Sequence, residues 1–201
     1  MSSDAIAQLE PQNVWRLFAE IARVPRASTH EEKICAFLRE KAQEQGFAVE
    51  SDAVGNMVIR VPATAGCEKA PAVVLQGHVD MVCEKNAGTQ HDFDRDPIEL
   101  VRGTDAGSGA AVIHARGTTL GADNGMGVAL AFAAATDPMV KHGPLELLLT
   151  IDEEMGMTGA AALAPGFFKG KTFLNLDSEE DDILYIGCAG GGDTVLTWTL
   201  P

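Results

Sequence analysis

The sequence predicts a mixed α/β fold, an α/β/α sandwich around a largely parallel sheet. Three observations lead to this fold class. Short apolar runs, typical of strands buried on both faces, alternate with segments whose apolar residues recur at helical spacing. The chain has 201 residues, enough for one such domain. It contains no internal repeat that would indicate a solenoid or an array.

Three helices are predicted along the chain. The first carries an apolar residue at every third or fourth position, namely Val14, Leu17, Phe18 and Ile21. Pro25 ends that segment. Thr29 and Glu32 have the spacing of a capping box, which predicts a second helix that stops at Gly46. An alanine-rich helix is predicted over residues 124–135.

The strand predictions rest on apolar runs and on turn residues. Three runs have the composition of buried strands: 73–75, 145–151 and 173–176. Segment 47–61 reads as strand material broken by a turn at 55–56. Segments 98–101 and 111–114 are predicted to pair as a hairpin, and 194–200 as a last strand.

Charge limits the classes of partner. The chain has 15 basic and 29 acidic residues, a net charge of -14, and only 5% aromatic residues. Such a balance repels phosphate backbones and anionic lipid, and few aromatic rings are available for base stacking. We therefore expect neither a nucleic-acid partner nor a membrane partner, whereas a cation-binding site suits the charge.

The amino terminus and the cysteines favour a cytoplasmic location. The start of the sequence lacks both the basic and the apolar region of a signal peptide. The four cysteines, Cys35, Cys67, Cys83 and Cys188, are widely spaced and form no Cys-x-x-Cys pair. This pattern is more typical of reduced thiols than of a disulfide framework.

Polar clusters follow each of the three predicted buried strands. Residues 76–80 (QGHVD), 152–154 (DEE) and 177–180 (DSEE) occupy these positions, and 121–125 (GADNG) opens the alanine-rich helix. Ligands of α/β sheets bind beyond the carboxyl ends of the strands. The four clusters are therefore expected to meet at one edge of the sheet.

Carboxylates that lie together resist ionisation unless a cation neutralises them. A histidine with several carboxylates suits Zn²⁺ or Mn²⁺, and two ions sharing a carboxylate could polarise a carbonyl and activate water. Each residue also has an ordinary structural interpretation. His78 could be a hydrogen-bonded core histidine, Asp123 a helix N-cap, Glu153 and Glu154 a solvated loop, and 177–182 a charged turn.

Four ordered motifs resemble the aminoacylase/carnosinase superfamily of dinuclear zinc peptidases. They are residues 76–81 (QGHVDM), 120–127 (LGADNGMG), 150–157 (TIDEEMGM) and 175–180 (NLDSEE). The pattern across 84–98 resembles in particular the aminoacyl-histidine (Xaa-His) dipeptidases, the peptidase D group. The resemblance runs along essentially the whole chain.

The resemblance implies a function for six residues. The metal ligands would be His78, Asp123, Glu154 and Asp177. Asp123 would bridge two zinc ions, for which Co²⁺ or Mn²⁺ could substitute. His78 and Asp177 would hold the first ion, and Glu154 the second. The implied catalytic residues are Asp80, which would orient His78, and Glu153, which would be the general base of dipeptide hydrolysis.

The chain also departs from the family. Family members are more than twice as long, carry a lid domain through which they dimerise, and have a last metal-binding histidine near the carboxyl terminus. No histidine follows Asp177 here. We therefore expect residues 1–192 to be the amino-terminal part of a catalytic domain, 193–201 to lead into the lid, and the lid itself to be absent. This part alone should be weakly active or inactive.

The sequence is compatible with three functions. The parent polypeptide would hydrolyse dipeptides with a carboxyl-terminal histidine. Alternatively, it would be an aminotripeptidase or an N-acyl amino-acid deacylase of the same superfamily. The third possibility is a metal-binding remnant without catalytic activity.

Overall fold

The computed structural model describes residues 5–178, 180, 182–192 and 194–199. Its helices are α1 (Gln12–Ile21), α2 (Glu32–Glu44), α3 (Ala122–Thr136), α4 (Glu153–Gly156) and α5 (Thr158–Ala162). Its strands are β1 (Ala48–Ser51), β2 (Met57–Val61), β3 (Val73–His78), β4 (Leu100–Thr104), β5 (Ala111–Ala115), β6 (Leu145–Thr150) and β7 (Thr172–Asn175). The predicted α/β fold class is confirmed.

Five strands form a mixed sheet in the order β1-β2-β6-β3-β7. The strands β6, β3 and β7 run parallel, while β2 pairs antiparallel with both β1 and β6. The strands β4 and β5 form a separate antiparallel hairpin, as the sequence predicts. The three parallel strands therefore end at the same edge of the sheet.

The core lies between the sheet and the three long helices. One face of the sheet contributes alternate apolar residues to it, namely Met57, Ile59, Val61, Leu75, Leu145, Leu147 and Leu149. The helices contribute residues at helical spacing, namely Val14, Phe18, Ile21, Ile34, Leu38, Ala42, Val128 and Phe132. Four alanines of α3, Ala129, Ala131, Ala133 and Ala135, also belong to this core.

The opposite face of the sheet is also covered. Val58, Val74 and Leu148 are completely buried there. Glu146 on the same face pairs with Arg60 and accepts hydrogen bonds from the backbone N–H groups of Lys169 and Gly170, both at 2.7 Å. The chain between α5 and β7 therefore packs against this face.

The predicted capping box is wrong. Thr29 adopts a left-handed backbone conformation with φ 68°, and helix α2 begins only at Glu32, with Glu31 as its N-cap residue. No side chain caps the first turn. The carboxylate of Glu31 instead accepts a hydrogen bond from the backbone N–H of Thr29 at 2.9 Å.

Two strand predictions need correction. The strand at 173–176 exists as β7 (Thr172–Asn175), but all four of its residues are exposed because it lies at the end of the strand order. Residues 194–199 form no strand, and Leu200 lies outside the described residues. The boundary expected between 192 and 193 stays a prediction, since residue 193 is not described.

The four cysteines are all free. Cys188 is exposed and the other three are half-buried. Among the described residues, no helix has both the length and the apolar character needed to cross a membrane.

Candidate metal centre

The register of the sheet aligns the polar segments that follow β3, β6 and β7. His78 at the end of β3 pairs with Thr150 at the end of β6, and Gln76 pairs with Asn175 at the end of β7. Backbone hydrogen bonds extend this alignment past the strands, from Val79 N to Thr150 O at 2.9 Å and from Leu176 N to Gln76 O at 2.9 Å. The segments after the strands therefore start side by side.

His78 lies at the centre of this edge and is completely buried. Its Nδ1 lies 3.1 Å from Oδ1 of Asp80, and its Nε2 lies 2.9 Å from Oδ1 of Asp123. The same Nε2 lies 3.7 Å from Oδ1 of Asp177. Both ring nitrogens thus face carboxylate oxygens.

Three of the four predicted ligands form a compact group. Ligand atoms of His78, Asp123 and Glu154 all lie within 4.8 Å of one another, and Asp177 joins them through its approach to His78. Asp123 reaches the group because the first residues of α3 depart from helical geometry, with φ -78° and ψ 115° at Asp123. Its side chain is half exposed, so the group is open to solvent on one side.

The pKa values of the clustered residues reflect the crowding of their negative charges. Burial first, and then the charge of Asp123, raises the pKa of Asp177 to about 6. Burial and the charge of Asp123 also raise the pKa of Glu154. Burial lowers the pKa of His78, but its hydrogen bonds to Asp80 and Asp123 outweigh this effect and raise it to about 9.

The donor set fits a divalent transition-metal ion. One imidazole nitrogen and three carboxylates are ligands that Zn²⁺ and Mn²⁺ accept. In the described part of the chain, no lysine or arginine side chain is hydrogen-bonded or ion-paired to Asp123, Glu154 or Asp177. The cluster therefore has the composition of a site whose balancing cation is a bound metal.

Asp80 connects two of the segments. In addition to His78, its carboxylate accepts the hydroxyl of Ser28 at 2.7 Å. It also accepts the backbone N–H groups of Glu153 at 3.1 Å and Glu154 at 3.2 Å. Despite burial, these hydrogen bonds hold the pKa of Asp80 well below its usual range. One ionised carboxylate thus orients the histidine and fixes the start of α4.

The segment that carries Glu153 and Glu154 is held by residues far away in the sequence. Asp152 adopts a left-handed conformation with φ 51°, which turns the chain sharply after β6. Its backbone N–H donates to Oε1 of Glu31 at 3.0 Å, and the N–H of Ile151 donates to Oδ1 of Asn56 at 3.2 Å. Sequence reasoning missed Glu31 and Asn56, since only the tertiary fold brings them here.

Asn124 links two of the ligands. It follows Asp123 directly, and its Nδ2 donates to Oδ1 of Asp177 at 2.9 Å and to the carbonyl of Leu176 at 2.7 Å. The side chain passes over Gly77, where a Cβ atom would overlap Oδ1 of Asn124. A glycine before His78 is therefore required by close approach.

Replacing Gly77 by alanine should disturb the site through Asn124. The added methyl group would displace the amide that holds Asp177, at a cost of about 1–3 kcal/mol in the free energy of unfolding. We also expect weaker Zn²⁺ binding, measured by competition titration. Gly187→Ala is the control, because no atom of the described residues lies within 4 Å of a Cβ at that position. Equal behaviour of the two variants would contradict the role given to Asn124.

The stability of the metal-free chain should depend on pH through His78. The fold raises the pKa of His78 from 6.5 to about 9, so the charged imidazole makes its full contribution to the stability of the fold below pH 6.5. This contribution, about 2–3 kcal/mol, is lost as the pH rises towards 9. Thermal unfolding in EDTA should therefore occur roughly 5–10 °C lower at pH 9 than at pH 6.5.

His78→Gln is the control for this pH dependence. The variant has no titratable group at this position, so its melting temperature should change much less between the two pH values. A variant that keeps the full pH dependence would assign the titration to another group.

The family model described as peptidase family M20/M25/M40 matches residues 74–194. The chain belongs to this family. The resemblance inferred from the four motifs is confirmed at this level, and the matched range includes all six residues for which the resemblance implied a function.

Two relatives are highly similar to this M20-family chain. The cytosol non-specific dipeptidase of Escherichia coli (strain K12) is 49% identical over 189 residues, which are 94% of this chain and 38% of the relative. The crystal structure of aminoacylhistidine dipeptidase from Vibrio alginolyticus matches with a TM-score of 0.81 and 46% identity, over 90% of this chain and 36% of that one. The chain thus spans less than two fifths of each.

A third relative is more distant. The crystal structure of aminopeptidase PepT from Bacillus cereus ATCC 10987 matches with a TM-score of 0.66 and 25% identity. The match covers 84% of this M20-family chain and 44% of that structure.

Proposed function

We propose that this chain supplies most of the metal-binding catalytic centre of a dipeptidase. The register of β3, β6 and β7 carries the proposal, because it explains why four potential ligands from distant parts of the sequence converge on one edge. The dipeptidase names of the two highly similar relatives support the same reaction class.

His78 and Asp177 would hold one ion, Glu154 would serve a second, and Asp123 would lie between them. Zn²⁺ is the proposed metal, with Co²⁺ or Mn²⁺ as substitutes. When bound, the ions would polarise the scissile carbonyl and increase the acidity of water. Asp80 would keep the imidazole in the orientation and tautomer that leave Nε2 free to bind metal.

Glu153 is the proposed general base. Its backbone is fixed by Asp80, whereas its carboxylate has no hydrogen-bond partner among the described residues and remains available to a substrate. It would take a proton from the attacking water and return that proton to the leaving amine. The carbonyl–nitrogen bond breaks, and two amino acids are released.

The proposed substrates are dipeptides with a carboxyl-terminal histidine, such as carnosine. The pattern across 84–98 and the Vibrio relative support this substrate class, whereas the Escherichia relative is named as non-specific. A tripeptidase or deacylase function is the alternative within the family, and metal binding without catalysis is the alternative outside enzymes.

The 201 residues by themselves should turn over slowly or not at all. Only Asp123 and Glu154 of this chain are proposed for the second ion, which is too few for a stable four-coordinate zinc site. The first ion would retain His78, Asp123 and Asp177. A cytoplasmic location and homodimerisation of the complete enzyme are part of the same proposal.

Hydrolysis assays test the proposal on two proteins. One is this chain, and the other is a fusion of it to the part of the Escherichia relative that it does not match. Each is supplied with Zn²⁺ and offered carnosine, a dipeptide without histidine, a tripeptide and an acetylated amino acid. We expect the fusion to cleave carnosine and this chain to cleave it weakly or not at all.

Three other outcomes of these assays would change or contradict the proposal. Cleavage of both dipeptides at similar rates would replace histidine specificity by broad specificity. Preference for the tripeptide or the acetylated amino acid would favour the alternative enzymes. Metal binding without any cleavage by the fusion would contradict the catalytic proposal.

A further inference from the structure

Arg26 lies in the segment between α1 and α2 and is only 2% exposed. Its Nη1 donates to the carbonyls of Val79 at 3.0 Å and Asp80 at 2.8 Å. Its Nη2 donates to the carbonyl of Gly121. One guanidinium group thus holds the backbone just after His78 and the backbone just before Asp123.

Burying a charge in this way is costly unless the charge has compensation. No carboxylate is hydrogen-bonded to the guanidinium, and its Nε has no partner in the described structure. Burial lowers the pKa of Arg26 to about 10, and the negative charges of Asp80 and Asp123 offset only part of this effect, so the group stays charged at neutral pH. A positive charge is thus fixed behind a cluster of acidic ligands.

The fold leaves room for this group by omitting side chains. A Cβ atom on Gly121 would overlap Nη2 of Arg26, and one on Gly125 would come within 2.9 Å of the same atom. Both glycines lie in the segment that opens α3 and carries Asp123. The close approach of Arg26 to the segment that carries Asp123 therefore requires glycine at both positions.

We propose that Arg26 is a positioning residue that fixes the spacing between His78 and Asp123. It acts through three backbone carbonyls and is hydrogen-bonded to neither ligand side chain. A planar fork can reach carbonyls from two separate segments at once, which a lysine ammonium at the end of a flexible stem cannot do with the same geometry. This inference rests on the proposed metal site.

The test measures Zn²⁺ affinity of the intact chain by competition with a chelating dye. Arg26→Lys keeps the charge without the fork, and Arg26→Met keeps neither. We expect both variants to bind Zn²⁺ about 10–100-fold more weakly, the range seen when support of a metal ligand is removed. We also expect the visible spectrum of Co²⁺ bound in its place to change.

Val61→Ala is the control for a general loss of stability. Val61 is 3% exposed and pairs with Leu145, at the end of the sheet away from the site. This variant should unfold more easily and yet bind Zn²⁺ with unchanged affinity. If the Arg26 variants do not fold, Gly125→Ala tests the same contact by crowding Nη2, and it should also weaken Zn²⁺ binding.

Two results would overturn the inference for different reasons. Unchanged Zn²⁺ affinity in folded Arg26→Lys, Arg26→Met or Gly125→Ala would show that the spacing does not depend on Arg26, while the metal site stands. Failure of the unaltered chain to bind Zn²⁺ would refute the proposed function and the inference together.

Discussion

Replacing Glu153 by glutamine in the fusion protein should reduce dipeptide hydrolysis by about 10²–10⁴-fold, because an amide cannot accept the proton of the attacking water. Zn²⁺ content should stay unchanged, since Glu153 is not among the proposed ligands. The backbone N–H of residue 153 can still donate to Asp80, so the local structure should also persist. Hydrolysis rate and metal content are measured on the same samples.

The neighbouring residue supplies a matched control. Glu154→Gln makes the same chemical change one position along the same short helix, α4, but removes a proposed ligand of the second ion. It should lower both hydrolysis and the number of ions bound. If Glu153→Gln loses metal and Glu154→Gln does not, the two roles have been assigned the wrong way round.

Replacing Asp80 by asparagine should have the largest effect on the fold of the site. Four donors converge on this buried carboxylate, from His78, Ser28, Glu153 and Glu154. An asparagine would present N–H groups to some of these donors. We expect a loss of about 3 kcal/mol in the free energy of unfolding and about 10–100-fold weaker Zn²⁺ binding.

Ser28→Ala provides a graded comparison for Asp80. It removes one of the four hydrogen bonds and leaves the charge, so it should cost about 1 kcal/mol in unfolding free energy and leave Zn²⁺ affinity nearly unchanged. Denaturant unfolding of the metal-free chain measures the first quantity, and competition titration the second. Equal losses in the two variants would argue against a central role for the Asp80 carboxylate.

The edge of the sheet was predictable because its determinants are local. Apolar strand segments followed directly by polar clusters can be read along the sequence, and parallel strands end on the same side. The expectation that His78 and Asp177 lie close together therefore requires no knowledge of the strand order. The register that aligns His78 with Thr150 explains why the prediction of convergence succeeded.

The supports of the site were not predictable in the same way. Glu31 reaches Asp152 across 121 positions, and Arg26 reaches Gly121 across 95. Such contacts depend on how whole elements pack, which local patterns do not encode. Thr29 shows how a local pattern can mislead. Its spacing from Glu32 matches a capping box, but the neighbouring Glu31 accepts hydrogen bonds from the backbone N–H groups of both Thr29 and Asp152, and the predicted cap does not form.

The most direct test of the account is the Zn²⁺ stoichiometry of the 201-residue chain and of its His78→Ala variant, measured by elemental analysis after dialysis. His78 contacts Asp123 and approaches Asp177, so the account predicts one retained ion in the unaltered chain and none in the variant. No retained ion in either protein, or the same number in both, would contradict the assignment of this edge of the sheet as a metal centre.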